Sequence, residues 1–185
     1  MEYRTVYLKL VKPHKKYLPS VKDAVNAYLS NPSEFEIHAV TKMIEAVEND
    51  FDDYLKNTEN ERLGINLKPG YVSHTVFWLI DGDEYIGTFD LRHSLTPYLK
   101  NIGGHIAYQI RPDKCRKGYA YAGLMLCLDE AAKIGLDKVL ITCKQKNIAS
   151  YAVMHKAMLG TGGEEDTPFD DNGIINKRVW LKTAH

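Results

Sequence analysis

The chain has no excess charge of either sign: 24 Lys and Arg balance 24 Asp and Glu over 185 residues. General binders of nucleic acid or of anionic membranes normally show a basic excess, so neither partner is expected. Cysteine is scarce as well. Cys115, Cys127 and Cys143 are odd in number and widely spaced, which fits neither a disulfide framework nor a paired-cysteine zinc site and points to a reducing cytoplasm. The histidines form no H-E-x-x-H or comparable pair, so no metal is expected. No apolar run approaches the ~20 residues that span a bilayer, and the stretch MEYRTVYLKLVKPHKK lacks the apolar segment of a signal peptide. Repeats, low-complexity tracts and Gly/Ser linkers are missing. The phosphate-gripping patterns G-x-x-x-x-G-K-[ST], and G-x-G-x-x-G after a strand, do not occur, which removes the usual signatures of nucleotide hydrolysis and dinucleotide redox chemistry.

What is present is 44% apolar and 26% charged, the composition of a globular protein, in a length that suits one domain with a substantial core. Hydrophobic periodicity predicts a strand over 5–11 and helices over 13–29 and about 41–56. Strands follow over 73–80 and 85–92, joined by the hairpin signal Asp81-Gly82-Asp83. Then come a strand over 104–110, a helix over 118–134 closed by Gly135, a strand over 137–143, a helix over 147–159 and a last strand over 174–181. Residues 57–70 and 94–101 read as loops, and Gly160, Gly162 and Gly163 as a turn. This order predicts an α/β protein of α+β type, a mixed and mostly antiparallel central sheet flanked by helices, as a single domain over 1–185.

One stretch stands out. IRPDKCRKGYAYAG crowds Arg111, Lys114, Arg116 and Lys117 around a lone Asp113, between a predicted strand and a predicted helix. Ala120, Leu124, Cys127, Leu128 and Ala131 share one face of that helix, which must lie on the sheet. Its N-terminus then presents unpaired N–H groups to the turn. Acids, not bases, are preferred in a first helical turn, so cations just before it favour a bound anion, best a phosphate or pyrophosphate, over the alternative of a solvated, charged helix start.

Together, GGHIAYQIRPDKCRKGYAYAGL and LDKVLITCKQKNIASYAVMHK resemble the acetyl-CoA-binding region of the GNAT N-acetyltransferase superfamily, and the whole chain looks most like bacterial members whose acceptor is undefined. The resemblance implies that the loop [QR]-x-x-G-x-[GA] grips the CoA pyrophosphate. Here it falls on Cys115, Arg116, Lys117, Gly118, Tyr119 and Ala120, with Cys115 where Arg or Gln is usual. It also implies a sheet that splays between its fourth and fifth strands to admit the pantetheine arm, with Ile110, Asn147 and Ser150 as further cofactor contacts. Asn147 also suits a plain helix N-cap.

The same resemblance implies an acetyl-CoA-dependent N-acetyltransferase that moves acetyl directly to an amine of a small molecule or exposed peptide, with no metal. Such chemistry needs a base for the amine and a donor for the oxyanion. A strand N–H beside a bulge near Tyr108 to Ile110 would serve as that donor. The tyrosine that many relatives place seven residues after the asparagine is here Met154, and neither Tyr151 nor His155 takes its register. His105 stands where many relatives carry Glu and is the candidate base; the alternative is a half-buried strand histidine bonded to a neighbour. Alternation puts it with Ala107 and Gln109 on the more polar face of its strand. Arg92, His93 and Tyr98, with Asn101, are candidates for the acceptor site. Cys143 is expected to be core rather than an acylated nucleophile. The rivals are a non-catalytic acyl-CoA-binding module, favoured by Met154, and a phosphate-recognising interaction domain without CoA. A homodimer is left open.

Overall fold

The computed structural model describes residues 7–183. Strand β1 (Leu8–Val11) leads to helices α1 (Leu18–Ser30), α2 (His38–Glu48) and α3 (Phe51–Arg62). Strands β2 (His74–Asp81) and β3 (Glu84–Arg92) follow, then the short helix α4 (Pro97–Asn101) and strand β4 (Ile106–Ile110). Helix α5 (Tyr119–Lys133), strand β5 (Lys138–Lys144), helix α6 (Ile148–Thr161) and the hairpin β6 (Glu164–Asp171) and β7 (Ile174–Lys182) complete the order.

Most expected elements stand where the periodicity puts them, and the departures have local causes. Residues 5 and 6 of the expected first strand lie outside the described residues. Helix α1 starts at Leu18 because the His14 ring accepts the Lys16 N–H and sets up a 3₁₀ turn first. The helix expected over 41–56 is two helices. Asp50 adopts extended backbone and caps α3 by accepting the Asp53 N–H, an N-terminus signal hidden inside a continuous apolar stripe. Thr96, with Pro97 behind it, starts α4 within the expected loop. Strand β6, sequence EEDTPFDD, was not expected at all. Its acids and Pro168 suit only an edge, and its hairpin to β7 is made by Asn172 and Gly173 with φ of 52° and 87°.

The strands form two antiparallel sheets, β1-β2-β3-β4 and β5-β7-β6. One core fills the face under α5 and α6, built on Phe89, Leu91, Ile106, Leu124, Leu128, Val139 and Val179. A second lies under α1, α2 and α3, around Trp78, Ile80 and Tyr85. The Trp78 and Tyr85 rings meet edge to face, with centroids 5.6 Å apart. Among the described residues no helix is long and apolar enough to cross a membrane.

The two sheets touch at β4 and β5, where His105 pairs with Leu140. The His105 N–H donates to the Leu140 carbonyl at 2.6 Å, and the Leu140 N–H donates to His105 Nδ1 at 2.9 Å. Gly104 permits this approach. Its φ is 62°, and a Cβ there would stand 2.3 Å from the Leu140 carbonyl oxygen. Beyond the contact the strands part. Arg92 N–H bonds the His105 carbonyl and Arg111 N–H bonds the Ile86 carbonyl. Alternate residues of an antiparallel ladder bond the same partner, so the odd-numbered residues of β4 bond β3. The main-chain groups of Ile106, Tyr108 and Ile110 therefore face the gap. On the far side Gln145 N–H bonds the Ile175 carbonyl, which leaves Thr142 and Lys144 facing it.

No bulge interrupts β4, contrary to expectation. Its register with β3 runs unbroken from Gly87↔Ile110 to Leu91↔Ile106. The irregularity sits between β2 and β3, where Leu79 pairs Gly87 and Ile80 pairs Tyr85, so Ile86 is the extra residue. A bulge is unnecessary for exposing N–H groups along β4, because its outer edge is already unpaired.

Burial, and then the nearby Arg92 cation, push the His105 ring from 6.5 down to about 4. The unfolded chain takes up this proton near pH 6.5 while the folded chain resists until about 4, so this contribution to stability is lost progressively as pH falls across that window. His105→Asn keeps an acceptor for Leu140 but cannot titrate. Urea denaturation from pH 7 down to pH 4 is expected to fall less steeply for His105→Asn than for the wild type.

Candidate functional site

Two adjoining cavities flank the gap. The larger, about 630 Å³, runs from the 111–118 turn across the start of α5 to the start of α6, with Asn31, Ser33 and Phe35 of the α1–α2 loop as its outer wall. The smaller, about 310 Å³, takes in Glu34, Glu36, His38, Arg92, Thr142, Cys143 and Asn176. Phe35, Tyr108, Asn147 and Ser150 line both.

The cationic turn spends half of its charge on itself. Arg111 is buried, forks onto Asp113 at 2.7 and 3.0 Å and donates to the Tyr85 carbonyl. Lys114 pairs with Glu84 at 2.6 Å. Only Arg116 and Lys117 of the four have no ion pair among the described residues. What the turn presents is main chain. Arg116 and Gly118 both take left-handed φ, 62° and 85°, which turns successive N–H groups toward one concave side. Gly118 caps α5 with no side-chain hydrogen bond and no acid in the first turn. No carbonyl accepts the N–H of Arg116, Gly118 or Ala120 among the described residues. A Cβ on Gly118 would meet nothing within 4 Å, so the space in front of these amides is open. This arrangement suits an anion.

Of the residues expected to hold a cofactor, Ile110, Cys115, Arg116, Gly118, Tyr119, Ala120, Asn147 and Ser150 line the larger cavity. Lys117 does not; its amine donates back to the Asp113 carbonyl. Cys115 donates weakly to the Ile110 and Arg111 carbonyls. Asn147 caps α6, accepting the Ser150 N–H at 3.1 Å.

The expected acceptor residues are scattered. Arg92 reaches the smaller cavity, held by the Gly103 and Gly104 carbonyls at 3.1 and 3.0 Å and by Asp90 at 3.4 Å. His93 bonds Thr75 at 2.8 Å and lines neither cavity. Tyr98 is 66% exposed and also lies outside both. His105 is buried, and its ring lines neither cavity. Because its Nδ1 accepts the Leu140 N–H, the proton of the neutral ring sits on Nε2. Neither nitrogen has a lone pair left for an acceptor's proton, so the geometry makes His105 a sheet-to-sheet pin. Met154 is fully buried. Cys143 lines the smaller cavity, with its thiol pushed up to about 11 by burial.

Sequence reasoning passed over the α1–α2 loop, whose Phe35 walls both cavities, and also Tyr108 and His38. The loop reads as an ordinary break at Asn31-Pro32, and nothing local announces that it folds over a gap formed far downstream in the chain. It is tied there by Lys146, which pairs with Glu34 at 2.8 Å and lies 5.5 Å from the centre of the Phe35 ring. Alternation puts the Tyr108 side chain with Ile106 and Ile110 on the apolar face of β4, which reads as core and hides its hydroxyl.

The family described as acetyltransferase (GNAT) domain matches residues 19–158, well over half of the chain. The chain belongs to the GNAT acetyltransferase family. No curated protein matches it. Among solved structures it is similar to RimL, a ribosomal L7/L12 alpha-N-protein acetyltransferase in complex with coenzyme A, at 13% identity and a TM-score of 0.58 over 96% of each chain. It is similar to yncA of Salmonella typhimurium, solved with acetyl-CoA, at 14% identity and 0.58, covering 96% of this chain and 95% of that one. Mutant forms of the spermidine/spermine N-acetyltransferase SpeG of Vibrio cholerae give 16% and 0.57, again covering 96% and 95%. These likenesses show the GNAT fold: antiparallel sheets flanked by helices and split between the fourth and fifth strands.

In this GNAT chain the turn before α5 depends on Gly118 for conformation rather than for room. Gly118→Ala is expected to cost about 1–2 kcal/mol of stability from the left-handed backbone alone, read as a lower midpoint in urea denaturation. A clash would cost more, and the open space excludes one.

Proposed function

We propose that the chain is an acetyl-CoA-dependent N-acetyltransferase that moves acetyl directly to an amine held in the smaller cavity, with residues 1–185 acting as one domain. The observation that carries this is the continuity of the two cavities through the split. An anion cradle opens at one end, a polar pocket at the other, and four residues are common to both. Elements from the α1–α2 loop to β7 contribute walls, which supports a single working unit. Three cysteines without disulfides support a reducing cytoplasm.

The fit to the cofactor rests on this chain's own residues. The amides of Arg116, Gly118 and Ala120, with Cys115 and Tyr119 beside them, would take the pyrophosphate, and the Arg116 and Lys117 cations would add field. The outward main chain of Ile110, with Asn147 and Ser150, would hold the arm as an added strand is held. When bound, acetyl-CoA supplies an acetyl thioester. The N–H groups of Tyr108 and Ile110 face the gap and can donate to a developing oxyanion there.

The acceptor amine must arrive neutral or lose a proton. Glu34 is tied to Lys146, Cys143 is too weakly acidic to help, and Glu36 and His38 both line the smaller cavity from exposed positions. His38 fits best. It is the first residue of α2, its ring makes no hydrogen bond among the described residues, and it lines the smaller cavity. Burial and then Lys42 hold it below the ordinary histidine range, with Lys68 adding to this and Glu61 and Asp90 opposing. A helix N-terminus also disfavours the charged form. The neutral ring is therefore available as a base at neutral pH. The acceptors named for neighbours, a ribosomal protein's α-amine and a polyamine, bracket the class to try: an exposed peptide amine or a small amine.

Two outcomes are expected. Calorimetry should show CoA and acetyl-CoA binding to the wild type, and Gly118→Asp, which puts a carboxylate into the cradle, should weaken binding at least about a hundredfold by removing roughly 3 kcal/mol. Binding without turnover across a panel of amines would instead favour the non-catalytic module, and binding of phosphate without CoA would favour the interaction domain. Once an acceptor is found, log kcat/KM should rise with pH below the His38 pKa and then level off. His38→Gln should lose that limb and about a hundredfold in rate. A limb unchanged in His38→Gln would assign the proton to another group.

A further inference from the structure

The junction of the two cavities is where the carbon–sulfur bond of a thioester would break, and few side chains meet there. Phe35 has no proton to give. The Asn147 carboxamide is oriented by its cap bond along its own helix. That leaves two hydroxyls, Tyr108 and Ser150. The Tyr108 ring is fixed, stacked on Phe89 with centroids 5.5 Å apart and planes 20° from parallel. Its hydroxyl points across the gap from β4 to the first turn of α6, where it lies 3.3 Å from Ser150 Oγ and 3.4 Å from the Ser150 carbonyl. Hydroxyl hydrogen bonds are normally about 2.7–2.8 Å long, so these contacts place the phenol without committing its hydrogen. Ser150 Oγ in turn lies 3.8 Å from Met154 Sδ. One turn of α6 thus presents a thioether that cannot donate, and the strand opposite brings a phenol to the same spot.

We propose, resting on the acetyl-transfer reading above, that the Tyr108 hydroxyl is the catalytic donor that hydrogen-bonds the sulfur of the departing thiolate, with Ser150 as its bridge. The electron pair of the breaking C–S bond stays on sulfur while the acceptor nitrogen's pair forms the new N–C bond. The phenol shares its proton with the sulfur and keeps it. The surroundings suit a donor of this kind. Burial pushes the phenol up to about 12, the Ser150 hydrogen bond opposes, and Cys143 on β5 is the one titratable neighbour that adds to the rise. The hydroxyl therefore keeps its proton at neutral pH.

Tyr108→Phe removes the oxygen and leaves the ring stack in place, so the fold should persist. CoA affinity by calorimetry should change by no more than about threefold, while kcat should fall about a hundredfold. The decisive readout needs no turnover. The thiol of bound CoA is titrated by its thiolate absorbance, with the desulfo-CoA complex subtracted to remove the protein's own tyrosines and cysteines. A charge-assisted hydrogen bond from Tyr108 should lower that titration by about one to two pH units in the wild type relative to Tyr108→Phe. Ser150→Ala should shift it in the same direction by less. Equal thiol titrations in wild type and Tyr108→Phe, with CoA bound in both, would overturn the role of Tyr108 and leave the acetyltransferase reading standing. Failure of CoA to bind the wild type would overturn both.

Discussion

Everything functional in this molecule depends on how two sheets are joined at one end and kept apart at the other. The pairing of His105 with Leu140 has the form of a β-bridge, but one of its two acceptors is an imidazole nitrogen. A side chain substitutes for main chain at the place where the ladder would otherwise continue. A regular parallel pairing would run on and close the gap. Gly103 N–H, donating to Thr142 Oγ1 at 2.7 Å, repeats the substitution one step away, and Arg92 clamps the same two glycine carbonyls from β3. The result is a seam made largely of side-chain bonds, which can stop where strand bonds would propagate.

The electrostatics follow the same economy. Four cations in eight residues suggest a strong field at the turn, yet two of them are neutralised by Asp113 and Glu84 and serve to hold the turn's shape. The attraction for an anion then comes mainly from aligned amides, which lose no side-chain entropy when they bind. The pair Arg111 and Asp113 also shows why a sequence count of charges overstates a site's field: the acid that offsets them lies two residues away, and another arrives from β3.

Much of the architecture was legible from periodicity and turn chemistry. The order of elements, the hairpin at Gly82, the apolar face of α5 and the Asn147 cap are all local signals, and local signals survive in a sequence. Most of the residues lining the larger cavity were legible for the same reason, because they lie in one contiguous turn and one helix start. The smaller cavity was not. It is assembled from the α1–α2 loop, β4, β5 and β7, whose meeting depends on the gap itself. For His105 the structure bears out the alternative of a buried strand histidine bonded to a neighbour, because its position at the strand's irregular start turns its ring to β5. Strand β6 was hidden by its acids, since an edge strand may be as polar as a loop.

The wall shared by both cavities has a consequence of its own. The α1–α2 loop is fastened over the gap by Glu34 and Lys146, whose side chains are 61% and 60% exposed. An exposed ion pair contributes at most about 1 kcal/mol, and salt weakens it over a screening length of about 8–10 Å at ordinary ionic strength. One of the two ties that hold the roof of the passage over its floor of strands is thus weak. Salt weakens the Glu34–Lys146 tie of this roof, while the bond from Ile37 N–H to Gln109 Oε1 at 3.0 Å and the strand ladders beneath do not depend on ionic strength in this way.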